Sequence, residues 1–193
     1  MTLDGSEKAR LAAARPCGIS DAMERLDMPR TIVVGYASLR SNGEAVVGRA
    51  LTIRQVPKHY PATHAQRVTR HKEISMSLAQ PGDFVVVDAG GRVDVAAWGG
   101  NHSKRCHERG VVGVLINGST RDSDEIRSLG FPTFCLGTSP VASQWTQETA
   151  EINGSVAFGG VQIRPGDIIV GDGDGLVVIA PEQLPAILAE LRS

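Results

Sequence analysis

Apolar residues follow two patterns along the chain: short runs rich in β-branched residues, and longer stretches in which apolar positions are more widely spaced. The short runs predict strands at 31–37, 45–54, 84–88, 111–117, 131–136, 161–163, 168–170 and 176–179. The longer stretches predict helices at 4–14, 18–26, 64–78, 101–109 and 181–191. Because strands and helices interleave, the sequence predicts a mixed α/β domain whose sheet is covered by helices.

Local signals set the limits of several of these elements. Pro16 ends the first helix, and Ser20 is the predicted N-cap of the second. The run Phe84–Asp88 is almost wholly apolar, which is typical of a strand that is buried on both faces. The sequence Pro-Gly-Asp occurs at 81–83 and again at 165–167, each time before an apolar strand. We interpret both occurrences as turns.

The length of 193 residues suits a single domain that can bury a substantial core. Apolar residues make up 41% of the chain and charged residues 21%, which is ordinary for a globular protein. Within this domain, residues 1–16 are predicted to form an N-terminal helical extension and residues 182–193 a C-terminal helix.

Charge and cysteine usage narrow the class of protein. The net charge is −1, so the sequence does not indicate a basic surface that would bind nucleic-acid phosphates. Aromatic residues are only 4% of the chain, which leaves few side chains for stacking on bases. We therefore expect no nucleic-acid partner. The three widely spaced cysteines indicate free thiols in a reducing compartment. No secretion signal or apolar run of about 18 residues is present, so we expect a cytoplasmic protein without a membrane partner.

The residues best suited to bind an anion or a metal ion lie within positions 98–125, which read WGGNHSKRCHERGVVGVLINGSTRDSDE. Gly99 and Gly100 form a turn before the predicted helix start at Asn101, whose free N–H groups provide a site for an anion. After the next strand come Arg121, which can grip a carboxylate with two hydrogen bonds, and Asp122, a hard oxygen ligand that suits Mg²⁺. This arrangement predicts a site for a metal ion and an anionic, oxygen-rich substrate.

Some of these residues, and nearby histidines, allow other interpretations. Asp122 and Glu125 also have the spacing of a capping box, in which both side chains serve only the start of a helix. His102, beside the glycine turn, is a candidate proton donor or substrate contact. His59, His64 and His71 lie in a segment that could cover the site, and we expect them at exposed polar positions.

Several stretches, in order, resemble one family. They are GISDAMERL, VVGRALTIR, PGDFVVVD, the segment WGGNHSKRCHERGVVGVLINGSTRDSDEIRSLGFPTFCLG, and GGVQIRPGDIIVGDGDGLVVIAP. Together they cover roughly residues 17–181 and are similar to the RraA-like and 4-hydroxy-4-methyl-2-oxoglutarate aldolase family. The resemblance implies an αββα sandwich around a compact β-structure, similar to the swivelling β/β/α domain. It also implies a homotrimer or hexamer with active sites between subunits.

The resemblance also implies a chemistry, that of a divalent-metal lyase cleaving or decarboxylating a small 2-oxo acid through a metal-stabilised enolate, with a pyruvate-like product. Arg121 would bind the carboxylate and carbonyl region of the substrate, and Asp122 would hold Mg²⁺ or Mn²⁺. The backbone at Gly99, Gly100, Asn101 and His102 would receive the substrate carboxylate. A sugar-acid or other hydroxy-acid lyase would use the same chemistry.

Two positions depart from the family pattern. Characterised aldolases of the family have an aspartate twenty-one residues before the arginine, where this chain has Gly100. A glycine variant with an acid three residues beyond the metal aspartate occurs among relatives, which makes Glu125 a candidate second metal ligand. Residues 68–72, VTRHK, replace an expected acid and asparagine pair. The second departure implies a different substrate specificity. The glycine at position 100 leaves open a second function, a non-catalytic regulatory binding protein similar to the ribonuclease E inhibitor RraA.

Overall fold

The computed structural model describes residues 3–39, 43–59 and 69–191. The strands in these ranges are β1 (Ile32–Val33), β2 (Ala37–Ser38), β3 (Val46–Pro57), β4 (Asp83–Trp98), β5 (Gly113–Thr120), β6 (Thr133–Thr138), β7 (Gln147–Ile152), β8 (Val156–Phe158), β9 (Val161–Ile163), β10 (Ile168–Gly171) and β11 (Leu176–Ile179). The helices are α1 (Gly5–Arg25), α2 (His71–Glu73), α3 (Gly100–Glu108), α4 (Ser123–Leu129) and α5 (Leu184–Glu190). A π-helical turn, Ile74–Leu78, continues α2, and a 3₁₀ turn spans Ser143–Trp145.

One large sheet organises the domain, with strand order β1-β11-β10-β3-β4-β5-β6-β2. Strands β3, β4, β5 and β6 run parallel to one another, while β1, β2, β10 and β11 join antiparallel. The long β3 pairs with β10 through its first half and with β7 through its second half. The hairpin β8-β9 stands apart from this sheet.

Three apolar clusters lie between the layers of the fold. The first packs the parallel strands against α3 and α4 through residues such as Val85, Val114 and Ile126. The second lies inside the β-structure, where Phe84 and Leu115 meet residues of β8, β9, β10 and β11. The third packs β10 and β11 against α1 and α5. Helix, β-structure, β-structure and helix therefore stack in that order, and the α/β fold predicted as an αββα sandwich is confirmed.

The alternation along the central strands explains why they separate these clusters. Phe84 and Val86 of β4 face the interior of the β-structure, whereas Val85 and Val87 face the helices. All four are fully buried, as the apolar run predicted. The sheet is therefore covered on both faces along the first residues of β4.

Several predicted boundaries are wrong. The predicted strand 31–37 divides into β1 and β2 because Gly35 turns the backbone at φ +86°. The predicted N-cap Ser20 lies inside α1, and the break comes at Arg15 (φ 61°, ψ 170°) because Pro16 disfavours helical geometry in the residue before it. Part of the predicted helix 64–78 lies outside the described residues, and the described part begins at α2.

Two further observations concern the cysteines and membrane-spanning helices. Cys17 is exposed, Cys106 and Cys135 are buried, and all three are free thiols as predicted. No helix among the described residues is both long and apolar enough to cross a membrane.

The turn between β10 and β11 depends on a buried carboxylate. The Asp172 side chain is fully buried, forms a 2.8 Å ion pair with Arg15, and accepts a hydrogen bond from the Asp174 N–H. We expect Asp172→Ala to lower the free energy of unfolding by about 1–3 kcal/mol, because it removes hydrogen bonds from buried groups. Urea denaturation measures this loss. The exposed ion-pair variant Glu24→Ala should change stability by less than about 0.5 kcal/mol, and equal effects would contradict the interpretation.

Candidate active site at the ends of β4 and β5

The two predicted motifs meet at one edge of the sheet. Strands β4 and β5 are parallel neighbours, and Trp98 at the end of β4 is paired with Thr120 at the end of β5. The N–H of Arg121 donates to the carbonyl oxygen of Trp98 at 3.1 Å. Gly99 and Gly100 therefore lie beside Arg121 and Asp122, as their places after parallel strands require.

Asp122 has an unusual backbone conformation that directs its side chain. Its φ is +58°, in the left-handed region that few residues other than glycine adopt. The carboxylate accepts a 3.1 Å hydrogen bond from the Gly100 N–H and lies 3.3 Å from Nε of Arg121. It makes no capping hydrogen bond to α4. The capping-box alternative for Asp122 and Glu125 is therefore wrong, because the left-handed backbone turns this carboxylate toward α3.

The glycine pair makes room for side chains of this chain. A Cβ at Gly99 would lie 3.0 Å from Cγ of Arg121 and 3.0 Å from Oδ2 of Asp122. A Cβ at Gly100 would overlap the carboxylate of Glu125 and lie 3.1 Å from Cβ of Asp122. The expected open approach for a ligand is therefore partly occupied. Two acidic side chains adjoin Gly100, the position that carries an aspartate in the family pattern.

A cavity of about 150 Å³ opens at this edge. The lining residues come from several segments and are Thr69, His71, Ala96, Ala97, Trp98, Gly99, Asn101, His102, Arg121, Asp122, Ala142, Ser143 and Gln144. Of the predicted site residues, Gly100 and Glu125 are not part of this lining. The structure thus gathers the other predicted residues around one cavity and places Glu125 beside Gly100.

Sequence reasoning missed His71. It was expected to be exposed, but it is buried, lines the cavity and contacts the rings of Trp98 and His102. Its Nε2 lies 2.6 Å from the side-chain nitrogen of Gln55. Burial, with a smaller contribution from His102, lowers the pKa of His71 to about 3. His59 is exposed as expected, and His64 lies outside the described residues.

The acidic side chains at this site are possible ligands of a divalent metal ion. Asp122 and Glu125 supply carboxylate oxygens, and the Asp122 side chain is 37% exposed. Within residues 3–39, 43–59 and 69–191, no group of three or more histidine, cysteine or acidic side chains could enclose a metal. One or two carboxylates with several waters are what Mg²⁺ commonly accepts, so these residues fit a hydrated Mg²⁺ or Mn²⁺ and do not fit a zinc cage.

A family model described as RraA-like, Aldolase/RraA, matches residues 16–178. The chain belongs to the RraA-like family. The match includes both strands that end at the site and every residue predicted to act there.

Similar proteins carry different descriptions. An uncharacterised protein of Methanocaldococcus jannaschii is 34% identical over 161 residues, which are 82% of this chain and 72% of that one. A putative 4-hydroxy-4-methyl-2-oxoglutarate aldolase of Halalkalibacterium halodurans is 39% identical over 118 residues, or 61% of this chain. That alignment spans 56% of the length of the relative.

A solved structure supports the fold over nearly the whole chain. It is a Streptomyces coelicolor protein described as an unusual member of the RNase ES inhibitor RraA protein family. It is 28% identical, has a TM-score of 0.83, and is matched over 98% of this chain and 91% of its own. RraA-like relatives thus include one described as a putative aldolase and one assigned to an inhibitor family.

Proposed function

We propose that this RraA-like protein is a divalent-metal-dependent carbon–carbon lyase that acts on a small 2-oxo acid and releases a pyruvate-like product. The main support for the proposal is that Arg121, Asp122 and the Glu125 carboxylate lie together at the start of α3, beside a cavity. The volume is well below the roughly 300–1,000 Å³ of pockets for drug-sized ligands, which favours a small acid.

Arg121 supplies the charge that such a substrate needs. Its Nε pairs with Asp122, and its side chain is 41% exposed toward the cavity it lines. Among the described residues, Asp122 is its one ion-pair partner. The two terminal nitrogens can therefore hold a substrate carboxylate in a bidentate pair, which fixes both the position and the plane of the 2-oxo acid.

The acidic side chains have the complementary role. Asp122 and Glu125 would hold Mg²⁺ or Mn²⁺ together with water molecules. The bound ion would supply a Lewis acid where negative charge develops on the substrate carbonyl oxygen. The N–H of Gly100 holds Asp122 in place through the hydrogen bond described above, so this carboxylate is oriented before any ion arrives.

The proposal predicts that Arg121→Lys raises KM for 2-oxo acids by about tenfold or more. Lysine retains the charge but loses the planar fork that holds a carboxylate with two parallel hydrogen bonds. Steady-state kinetics with each 2-oxo acid measure the change. Arg127→Lys on the exposed face of α4 is the matched control, and an Arg121→Lys enzyme with unaltered KM and kcat would exclude Arg121 from substrate binding.

Pyruvate release tests the proposed function directly. Oxaloacetate and 4-hydroxy-4-methyl-2-oxoglutarate are each incubated with the protein and Mg²⁺, Mn²⁺ or EDTA. We expect release with either metal and none with EDTA. The oxaloacetate result tests decarboxylation, and the result with the hydroxylated acid tests retro-aldol cleavage.

A second candidate is a non-catalytic regulatory binding protein. The 28% identity over nearly the whole chain to a member of the RNase ES inhibitor RraA protein family favours it. Absence of metal-dependent release from both acids would favour this candidate over the lyase.

We also propose a homotrimer or hexamer with sites between subunits. The exposed apolar side chains of Val34, Val93 and Val141 provide surface that association would cover. Sedimentation velocity measures the assembly, and a monomer at micromolar concentration would contradict it.

A further inference from the structure

One wall of the cavity consists of three rings. The ring centroids of His71, Trp98 and His102 lie 5.4–5.5 Å from one another. The indole N–H of Trp98 donates to Oγ of Ser103 at 2.9 Å, so its one polar group is already engaged. The polar atoms that this wall can offer to a ligand are therefore imidazole nitrogens.

A buried serine, Ser75, lies within hydrogen-bond distance of the His102 ring. Oγ of Ser75 lies 3.0 Å from Nδ1 of His102 and 3.4 Å from the carbonyl oxygen of Lys72. A carbonyl oxygen only accepts, and a serine in a helical turn commonly donates to the carbonyl three or four residues earlier. Donation of the one hydroxyl proton of Ser75 to Lys72 would leave Oγ to accept from Nδ1–H of His102.

This assignment leaves a lone pair on Nε2 of His102. Burial lowers the pKa of His102 to about 4, and the positive charges of Arg105 and Arg121 contribute to this shift. The ring is therefore neutral near pH 7, with one nitrogen protonated and the other not. Nε2 has no hydrogen-bond partner among the described residues, and His102 lines the cavity.

We propose that His102 is a specificity-determining residue that accepts a hydrogen bond from a hydroxyl group of the substrate, and that Ser75 is the positioning residue that fixes this acceptor. The inference rests on the proposed function, because Arg121 must hold the 2-oxo acid end. Retro-aldol cleavage requires a hydroxyl at C4: this group loses its proton and becomes a carbonyl, while the C3–C4 bonding pair stays on C3, which takes up a proton.

The chemistry of the acceptor separates two substrate classes. A 4-hydroxy-2-oxo acid brings a donor to Nε2. Oxaloacetate has no hydroxyl at C4 and would bring a carboxylate, whose oxygens only accept, to the same lone pair. A site arranged to accept from a hydroxyl disfavours an analogue without one, because a buried polar atom is then left unpaired. His102 therefore favours retro-aldol substrates over oxaloacetate.

The test compares kcat/KM for 4-hydroxy-2-oxopentanoate with that for oxaloacetate in the presence of Mg²⁺. We expect Ser75→Ala to lower the ratio of the two values by about tenfold, because the ring is free to adopt the other tautomer and lose the acceptor. His102→Phe should lower the ratio at least as much, and Ser75→Ala should have no further effect on it in that background. Ser77→Ala is the matched control, since Ser77 is exposed on the same helical turn and donates to the Glu73 carbonyl oxygen.

An unchanged ratio in Ser75→Ala would overturn the inference, whether neither kcat/KM value changes or both fall by the same factor. A wild-type protein that releases no pyruvate from either acid would overturn the proposed function and the selectivity together. Nitrogen-15 NMR of the histidine rings decides the tautomer independently of activity. We expect protonated Nδ1 and bare Nε2 for His102 near pH 7, and the reverse would overturn the role of Ser75.

Discussion

Asp122→Asn is expected to lower kcat for 2-oxo acid cleavage by about 10³-fold while leaving the fold intact, since removal of charge stabilisation at a developing oxyanion has effects of that order. Asparagine tolerates the left-handed backbone at this position, whereas alanine would be strained there. Its amide oxygen can still accept from the Gly100 N–H. The change therefore removes one negative charge from the proposed metal site and little else.

Two measurements check this expectation. Steady-state kinetics over a range of Mg²⁺ concentration give the loss in kcat. Thermal unfolding gives a readout that does not need activity. A free Mg²⁺ concentration of one hundred times Kd adds about 2.7 kcal/mol to the free energy of unfolding, and the variant should lose this stabilisation. Asp124→Asn is the matched control on the same helix, because its side chain is 97% exposed. An Asp122→Asn protein with normal kcat and normal stabilisation by Mg²⁺ would remove Asp122 from the metal site.

The parallel strands at the centre of the sheet are predictable from local sequence. Each β-branched run there is buried on both faces, so its apolar character does not depend on knowing its neighbours. The meeting of Gly99 and Gly100 with Arg121 and Asp122 is predictable as well. Both pairs follow apolar strands, and parallel neighbours end at the same edge of a sheet.

Other features depend on contacts that local sequence does not contain. Strand β7 has the polar sequence QETAEI and forms because the second half of β3 leaves an edge for it. The buried position of His71 depends on Trp98 and His102, which are distant in the chain. The spacing of Asp122 to Glu125 fits both a helix cap and a site residue, and local sequence does not contain the left-handed backbone angle that accompanies the missing cap hydrogen bond.

We propose that the glycine at position 100, where the family resemblance implies an aspartate, is compensated within the same site. The position begins α3, where an acidic side chain is favoured by the helix dipole, and its backbone does not require glycine. A Cβ at position 100 would overlap the end of the exposed Glu125 side chain, which would have to move aside. Glu125 would then bring from α4 the negative charge that an aspartate at position 100 would bring from α3.

Gly100→Asp alone is therefore expected to lower kcat/KM by about 10²-fold, because misplacement of catalytic groups by about an ångström has effects of that size. The free energy of unfolding should change by less than about 0.5 kcal/mol, because the exposed Glu125 side chain can move aside. Glu125→Ala alone should lower activity by removing a carboxylate. The double variant Gly100→Asp with Glu125→Ala removes the overlap and restores the charge, so we expect its kcat/KM to be at least about tenfold above that of Gly100→Asp, a strong departure from additivity.

Kinetics and urea denaturation of the two single variants and the double variant decide the matter. Glu148→Ala removes an acidic side chain on β7, away from Gly100, and serves as the control for loss of one negative charge. If the double variant is no more active than Gly100→Asp, the carboxylate of Glu125 does not substitute for an aspartate at position 100. The proposed metal site would then rest on Asp122 alone.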